Sequence, residues 1–347
     1  MVTVLLKNYT LLVGQLTRQS LFIRNSSSYK AAVIKDASKT FSIEEIKRSK
    51  LSDNQVRIQV HYCSVNSNDL PTFHGNGNSS QFTPGYELGG EVIEIGKKVE
   101  KNQVILGEKV AALNLEKFGG FAEECVVNAD DVFRLPSNLQ LKDAAVLLSG
   151  HSLALLAFSK MTKIKKDDYV VISAGSAGHG LAAVDVAANV YGAKVIGVVD
   201  ASDKADLLRE RGAFKTVKPD SKLLQNILKA VGAKKIKVVY DAVGNSVHEP
   251  LSKCASPGAH IFLAGPHLYK TIPPPPFNTS LTILDLLSMK KHDLEAYRCT
   301  VSDVLDLADQ GLISAYVSAS FKLDNINKAI EYVEEKKCTG KVLISML

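Results

Sequence analysis

The segment that most constrains the fold is a turn of small residues between a predicted strand and a predicted helix. This turn, Ser173–Ala183, reads Ser-Ala-Gly-Ser-Ala-Gly-His-Gly-Leu-Ala-Ala. The apolar run Tyr169–Ile172 before it predicts a buried strand, and the apolar spacing after it through Val190 predicts a helix. A helix N-terminus with no Cβ in the way exposes backbone N–H groups to a pyrophosphate. The turn therefore favours dinucleotide binding, although Ala174 and Ala177 interrupt the glycine pattern.

Strand and helix patterns alternate regularly from the strand before this turn onward. The predicted strands are 169–173, 194–199, 237–242 and 259–264, and the predicted helices are 180–190, 203–211, 221–231 and a segment around 247–254. This alternation predicts a doubly wound parallel sheet. Short strand patterns punctuated by glycine before residue 136 predict a separate β-rich domain. Residues 141–160, mostly Ala, Leu and Ser, are expected to form a pair of helices between the two domains.

Length, charge and cysteine content limit the class of protein. A chain of 347 residues is too long for one simple core, so two domains are expected. The five cysteines lack metal or disulfide spacing, which argues against a disulfide framework or a structural zinc site. Every apolar run is shorter than the roughly 20 residues that cross a bilayer, so no membrane span is expected. Residues 1–29 contribute half of the net charge of +6, and the remainder is too small to favour a nucleic-acid partner.

The N-terminal segment has a composition of its own. Residues 1–29 contain Lys7, Arg18 and Arg24, several serines and no acidic residue. This composition is typical of a mitochondrial transit peptide, and polar residues interrupt every apolar core that a secretory signal would need. We therefore expect the mitochondrial matrix as the location, with the cytoplasm as the alternative if the segment is a disordered leader without a targeting role.

Five further motifs carry a family resemblance. They are Pro84–Gly96, Gly119–Glu124, Asp143–Ser152, Val170–Val190 and Tyr240–Gly244. With these motifs the chain resembles the medium-chain dehydrogenase/reductase superfamily, and within it the zinc-independent quinone oxidoreductase branch. The resemblance covers everything except the N-terminal leader.

The resemblance implies an α/β architecture with two domains behind the transit peptide at 1–29. A GroES-like, β-rich catalytic domain is expected at 30–150 and is completed by 285–347. A Rossmann domain with a doubly wound parallel sheet is expected at 151–284. The resemblance also implies that this chain forms a homodimer, which pairs through the edge of the Rossmann sheet.

The resemblance also bears on metal binding. Zinc-dependent relatives use a Cys, a Gly-His-Glu motif and a third Cys or Asp, where this chain has Asn66, Tyr86 and Leu148. None of these three is an ordinary zinc ligand, so no zinc is expected. Without that Lewis acid, the expected substrate is an acceptor that is already electron-poor, a quinone or an α,β-unsaturated carbonyl.

Family motifs assign the candidate site residues. Asn66 is expected to position the substrate near the nicotinamide, although it could instead be an asparagine that stabilises a turn. Ser152 is expected near the nicotinamide ribose, and its alternative is an ordinary hydroxyl inside a helix. Gly178 and Gly180 are expected where bulk would block the pyrophosphate, and His179 is expected to offer its backbone N–H. The further cofactor-binding residues implied are Ala174, Ala177, Val243, Ala264 and Gly265.

Residues after the second predicted strand of the Rossmann domain favour NADPH over NADH. Lys204 matches the position of a lysine in NADPH-using relatives, and Lys218 follows nearby. A cation there favours the 2′-phosphate, whereas an acid at the end of the strand favours the unphosphorylated ribose. Asp200 stands one place after the NAD-type acid position, and Lys204 could also be a solvated residue at a helix start.

Two alternative functions remain open at this point. Some relatives place tyrosines in the substrate pocket, whereas segment 70–80 has none and contains His74, which fits a loop residue better than an acid. The chain could therefore be a catalytically weak NADPH-binding scaffold, crystallin-like or RNA-binding, although it lacks a basic patch interleaved with aromatic residues. The other alternative is a 2-enoyl thioester reductase, which needs a deep acyl pocket.

Overall fold

The computed structural model describes residues 27–34, 40–70, 82–174, 178–200, 202–265, 272, 274–335 and 338–347. Most of the predicted transit peptide, nearly all of the loop at 70–80 including His74, and Ala177 lie outside the described residues. The first strand begins at Ser28, two residues before the strand predicted from Lys30.

The described residues form fifteen strands and eight α-helices. The strands are β1 Ser28–Val33, β2 Ser42–Lys47, β3 Gln55–Val65, β4 Glu87–Ile95, β5 Lys109–Leu113, β6 Glu124–Asn128, β7 Val132–Arg134, β8 Tyr169–Ser173, β9 Lys194–Val198, β10 Lys215–Val217, β11 Ile236–Asp241, β12 His260–Leu263, β13 Ser280–Ile283, β14 Val317–Lys322 and β15 Lys341–Ser345. The helices are α1 Leu141–Leu155, α2 Gly178–Asp185, α3 Ser202–Glu210, α4 Leu223–Val231, α5 His248–Cys254, α6 Leu286–His292, α7 Leu294–Asp309 and α8 Ile326–Glu334.

A seven-stranded sheet contains strands from both ends of the chain. Its order is β14-β15-β3-β4-β5-β7, with β6 also paired to β3, while β1 and β2 form a separate antiparallel pair. Strand β15 pairs antiparallel with β3, with Val342 opposite Val65. Continuing this register by one position brings Lys341 beside Asn66. The C-terminal strand thus completes the β-rich domain at the end of β3.

The second sheet is parallel throughout and has the order β10-β9-β8-β11-β12-β13. Helices α4 and α5 contribute apolar residues to the core on one face, and α1, α2 and α7 contribute to the core on the other. The predicted doubly wound sheet is confirmed. Its strand order reverses between β8 and β11, the position at which such sheets form a binding crevice beyond their carboxyl ends.

Helix α1 lies between the two sheets and differs from the expected pair of helices. It continues directly into a π-helical segment, Leu156–Met161, so residues 141–161 form one continuous element. The helix continues through Gly150, where the missing Cβ allows α2 to approach closely. A Cβ on Gly150 would lie 3.1 Å from the Cβ of Ala182. The element Leu141–Met161 is long and apolar enough to cross a membrane, but 83% of its most apolar window is buried inside the protein.

Candidate functional site

The parallel sheet brings the predicted cofactor-binding residues to one edge. The described positions that follow strand carboxyl ends are Ala174 after β8, Lys204 in α3 after β9, Lys218 after β10, Val243 after β11, and Ala264 and Gly265 after β12. Helix α2 begins at the same edge with Gly178, His179 and Gly180. These residues therefore surround the crevice of the parallel sheet, as the βα alternation predicts.

Two neighbouring strand ends hold the loop that carries Val243. The Ser173 hydroxyl donates to Asp241 Oδ1 at 2.6 Å and accepts the Ala242 N–H at 2.8 Å. The same carboxylate oxygen accepts the backbone N–H groups of Val243 and Gly244 at 3.1 and 2.9 Å. Ser173 and Asp241 are paired in register across the reversal between β8 and β11, so the loop is fixed where a ligand would enter.

Ser152 lies in α1 with its side chain fully buried. Its hydroxyl has no hydrogen-bond partner among the described residues. A buried hydroxyl without a partner is unfavourable, and such groups in native proteins are usually satisfied by another polar group. In this structure the hydroxyl is enclosed by protein atoms, and its expected place near the nicotinamide ribose stays a prediction.

A buried polar cluster lies on the side of the β-rich domain. The Lys341 ammonium donates to Asn66 Oδ1, to Glu87 Oε2 at 3.0 Å and to Ser149 Oγ at 3.3 Å. Lys341 and Asn66 are each 6% exposed, and Glu87 is fully buried. The cluster thus joins β15, the end of β3, β4 and α1, and it contains one cation and one carboxylate in close contact.

Glu87 is kept ionised by its neighbours. Burial raises the pKa of this carboxyl, but the charge of Lys341 and several hydrogen bonds outweigh burial and hold the pKa below its ordinary value. Its Oε2 accepts the hydroxyls of Ser64 and Ser149 at 2.6 and 2.9 Å, and its Oε1 accepts the Ser149 N–H at 2.9 Å. The antiparallel register of β3 with β4 places Ser64 opposite Glu87.

The amide of Asn66 is oriented by the same cluster. With Oδ1 bonded to Lys341, its Nδ2 donates to Ser64 Oγ at 3.0 Å and to Glu87 Oε2 at 3.3 Å. Its backbone N–H donates to Asp69 Oδ2 at 2.8 Å, which fixes the turn after β3. Burial raises the pKa of the Asp69 carboxyl to about 7, against the hydrogen bonds that it accepts. The Asn66 side chain thus belongs to a charged cluster and does more than stabilise a turn.

The two predicted phosphate-binding lysines lie in different environments. Lys204 is only 6% exposed, and its ammonium lies 3.4 Å from Asp200 Oδ1. Burial raises the pKa of the Cys338 thiol, and the charge of Lys204 acts in the opposite direction. The interpretation of Lys204 as a solvated residue at a helix start is wrong. Lys218 is exposed.

Gly178 and Gly180 make close contacts within the protein. A Cβ on Gly180 would lie 2.6 Å from the Ser173 carbonyl oxygen and 2.7 Å from Ala174 Cα. A Cβ on Gly178 would lie 2.5 Å from Lys341 Cε. The imidazole of His179 lies against Gly150, whose added Cβ would be 3.3 Å from His179 Cδ2. Helix α2 thus packs tightly on both β8 and the Lys341 side chain.

The three positions that replace the zinc ligands have distinct surroundings. Leu148 is fully buried in an apolar core, and Tyr86 is 4% exposed with its ring edge-to-face on Phe118. Asn66 bonds to Lys341, as described above. Over the part of the chain that the structure describes, no three His, Cys, Asp or Glu residues come together as a metal-binding group.

Sequence reasoning missed Glu87, Ser149 and Lys341 as members of the site. One signal could have found two of them: Glu87 and Lys341 carry opposite charges at the first position of predicted strands. Charged residues are rarely buried unless they are paired, so two such residues predict a buried pair. No comparable signal marks Ser149 in its helix of small and apolar residues.

Two models of known protein families match this chain, one in each domain. A family model described as an alcohol dehydrogenase GroES-like domain matches residues 52–137, and one described as a zinc-binding dehydrogenase matches residues 178–308. The structure superimposes on an Escherichia coli quinone oxidoreductase complexed with NADPH with a TM-score of 0.82, at 20% identity over 92% of this chain and 100% of the other.

Similarity to curated sequences extends over nearly the whole chain. Quinone oxidoreductase-like protein 2 of Rattus norvegicus is 31% identical over 336 residues, covering 92% of this chain and 93% of the rat protein. A homologue of that protein from Nematostella vectensis is 31% identical and covers 92% of this chain and 89% of its own length. The chain therefore belongs to the quinone oxidoreductase-like protein 2 family of the medium-chain dehydrogenase/reductase superfamily.

Proposed function

We propose that the protein is an NADPH-dependent, zinc-independent oxidoreductase that reduces a quinone or an α,β-unsaturated carbonyl. The observation that carries this proposal is the contact between the Lys341–Asn66 cluster and Gly178 at the start of α2. Helix α2 follows β8, where the order of the parallel sheet reverses. A polar cluster for substrate positioning and a dinucleotide-binding turn therefore lie side by side.

The residues at the sheet edge fit a dinucleotide. Backbone N–H groups at the start of α2, including Gly178 and Gly180, can bind the pyrophosphate with help from the helix dipole. The unsatisfied Ser152 hydroxyl can bond the nicotinamide ribose, and Lys204 can pair with the 2′-phosphate. Bound NADPH would supply a hydride, and with a proton from solvent the acceptor becomes a hydroquinone or a saturated carbonyl compound.

The proposed acceptor class rests on the residues that replace the zinc ligands. To orient a carbonyl oxygen of the acceptor, the Asn66 amide would donate to it in place of one of its bonds to Ser64 or Glu87. An electron-poor acceptor needs this positioning and exclusion of water more than it needs a Lewis acid. Zinc independence stays a prediction from the residues Asn66, Tyr86 and Leu148.

The test is a substrate panel with purified protein that lacks residues 1–26, which leaves strand β1 intact. We expect NADPH to be oxidised in the presence of an ortho-quinone or an enone, and the panel includes a 2-enoyl thioester to identify the thioester reductase alternative. Tight NADPH binding without oxidation by any acceptor would favour the scaffold alternative. Quinones are tested first, because the structurally similar Escherichia coli protein is a quinone oxidoreductase complexed with NADPH.

We also propose that residues 1–29 direct the protein to the mitochondrial matrix. Their basic, serine-rich and acid-free composition supports this proposal. A fluorescent protein carrying these residues should accumulate in mitochondria, and a version with Lys7, Arg18 and Arg24 replaced by Gln should not. Cytoplasmic fluorescence from both versions would support the alternative of a leader without a targeting role.

A homodimer that pairs through the Rossmann sheet is the proposed assembly. Strand β13 is one of the two edge strands of that sheet, and Ile283 in it is 42% exposed. Phe277, just before this strand, is 98% exposed. Light scattering on the purified protein should give twice the mass of the chain, and Ile283→Lys should shift it toward the monomer.

A further inference from the structure

The side chain of Lys341 runs directly past Gly178. A Cβ on Gly178 would lie 2.5 Å from Lys341 Cε, 2.8 Å from Cδ and 3.1 Å from Cγ. Nonbonded carbon atoms prefer separations of about 3.5–4.0 Å, so any side chain at position 178 would collide with this lysine. Only glycine leaves the present path of Lys341 open.

Lys341 cannot move aside without cost. Its side chain is 7% exposed, and its ammonium is held by Asn66, Glu87 and Ser149. Moving the ammonium would leave the Glu87 carboxylate buried without its cation, which is strongly unfavourable. A Cβ at Gly178 would therefore disturb the cluster that orients Asn66.

Gly180, two residues later, provides a contrast. Its missing Cβ would meet the Ser173 carbonyl oxygen and Ala174 Cα, which are backbone atoms of the turn after β8. That requirement lies within the Rossmann domain and does not involve Lys341. The two glycines at the start of α2 are thus required by different packing contacts.

We propose that Gly178 is the packing site for Lys341, and that Lys341 is a positioning residue that couples the start of α2 to the amide of Asn66. Through this contact, any shift of the turn at Gly178 changes the bonds that orient Asn66. The packing relationship holds for the protein without ligand, and only its effect on turnover rests on the proposed function.

The test is a double-mutant cycle on the ligand-free protein, measured by urea unfolding. Gly178→Ala is made in the natural protein and in a Glu87→Gln/Lys341→Ala background, which removes the colliding chain and the buried carboxylate together. Overpacking should raise the unfolding equilibrium constant about tenfold or more in the natural protein, and less than about threefold in that background. Gly180→Ala is the control, and it should be equally harmful in both.

Equal losses from Gly178→Ala in the two backgrounds would overturn the proposal. If Gly178→Ala prevents folding in the natural protein and the combined variant folds, the rescue is the expected result. If Gly178→Ala also prevents folding in the Glu87→Gln/Lys341→Ala background, which itself folds, the collision is not with Lys341 and the proposal fails.

Infrared spectroscopy gives a second readout that a general loss of packing would not produce. In Gly178→Ala the displaced ammonium no longer holds the Glu87 pKa down, so burial raises it, and a protonated carboxyl band should appear near neutral pH. Glu87 also accepts from Asn66, from Ser64 of β3 and from Ser149 of α1, and the titratable groups around it are Cys63, Tyr86 and Asp69. Asp69 can contribute its own band, so the Glu87 band is identified by its loss in Gly178→Ala/Glu87→Gln. A Gly178→Ala spectrum without that band would contradict the proposed displacement.

Discussion

The ammonium of Lys341 and the amide oxygen of Asn66 are in direct hydrogen-bond contact, although 275 positions separate them in the sequence. The contact exists because β15 inserts between β14 and β3 in the sheet of the β-rich domain. The last strand of the chain thus brings a cation to the end of β3. Asn66 is oriented by that cation, whose side chain passes Gly178 at the start of α2.

Replacement of Lys341 should be far more harmful than replacement of a surface lysine. Lys341→Met leaves the Glu87 carboxylate buried without a cation, and removing one partner of a buried pair costs about 3 kcal/mol or more. Urea unfolding measures the loss. Lys237→Met is the matched control, because Lys237 pairs with Asp168 at 2.8 Å in a partly exposed position, where such pairs contribute less than about 1 kcal/mol.

Adding Glu87→Gln to Lys341→Met should restore much of the lost stability, since no buried charge then remains. If Lys341→Met costs no more than Lys237→Met, the buried ion pair is not what holds the cluster together.

Ser152→Ala should separate stability from ligand binding. The hydroxyl has no partner among the described residues, so its removal should leave the free energy of unfolding of the ligand-free protein unchanged or slightly higher. NADPH affinity should fall about fivefold, which corresponds to one hydrogen bond of about 1 kcal/mol. Fluorescence titration measures the affinity. Ser149→Ala is the control, because Ser149 bonds to Glu87 and its removal should lower stability. An unchanged NADPH affinity in Ser152→Ala would remove Ser152 from the cofactor site.

Lys204 should discriminate between the two nicotinamide cofactors. Lys204→Met removes the cation proposed for the 2′-phosphate, and loss of a charged hydrogen bond should weaken NADPH binding roughly 10- to 100-fold. NADH binding should change little, since NADH lacks that phosphate. Asp200→Asn, which removes the carboxylate 3.4 Å from the Lys204 ammonium, should tighten NADPH binding. Equal losses for the two cofactors in Lys204→Met would show that the lysine does not recognise the phosphate.

Asp69 should make the free energy of unfolding fall as pH rises. Its pKa is raised from 3.8 to about 7 by burial, so the folded protein binds its proton more tightly than the unfolded chain does. Stability from this group is therefore fully present at low pH and is lost as pH rises from about 4 to about 7. Over that range the free energy of unfolding of the natural protein should fall relative to that of Asp69→Asn. Urea unfolding at several pH values measures this difference. A shift in the other direction would mean that the hydrogen bonds from Asn66 and Gly85 outweigh burial.

Local patterns in the sequence predict much of the Rossmann sheet. The sequences of β8, β9, β11 and β12 are apolar runs because these strands are buried on both faces, and such runs are easily recognised. The strands that were missed, β10 and β13, are short and lie at the two edges of the sheet, where burial leaves a weaker pattern. The pair of helices expected within 141–160 is one continuous element, in which Gly150 packs closely against α2, a tertiary contact.

The candidate site is harder to predict because its contacts are long-range. Asn66 and Ser152 could be named from family motifs, but their environments depend on strand register and helix packing. The contact of Asn66 with Lys341 follows from the pairing of β15 with β3, which no local pattern specifies. Likewise, the burial of Lys204 depends on tertiary packing around α3, which the local sequence does not specify.

Isotope transfer tests whether hydride passes from NADPH to the acceptor. NADPH deuterated at the reactive nicotinamide carbon is incubated with an enone and the protein lacking residues 1–26, and the product is analysed by mass spectrometry and NMR. Transfer of one deuterium from the cofactor to the carbon of the acceptor that takes up the hydride is the predicted result, with the accompanying proton derived from solvent. A protein that binds NADPH tightly but yields no deuterated product with any enone, and no hydroquinone with any quinone, would contradict the account.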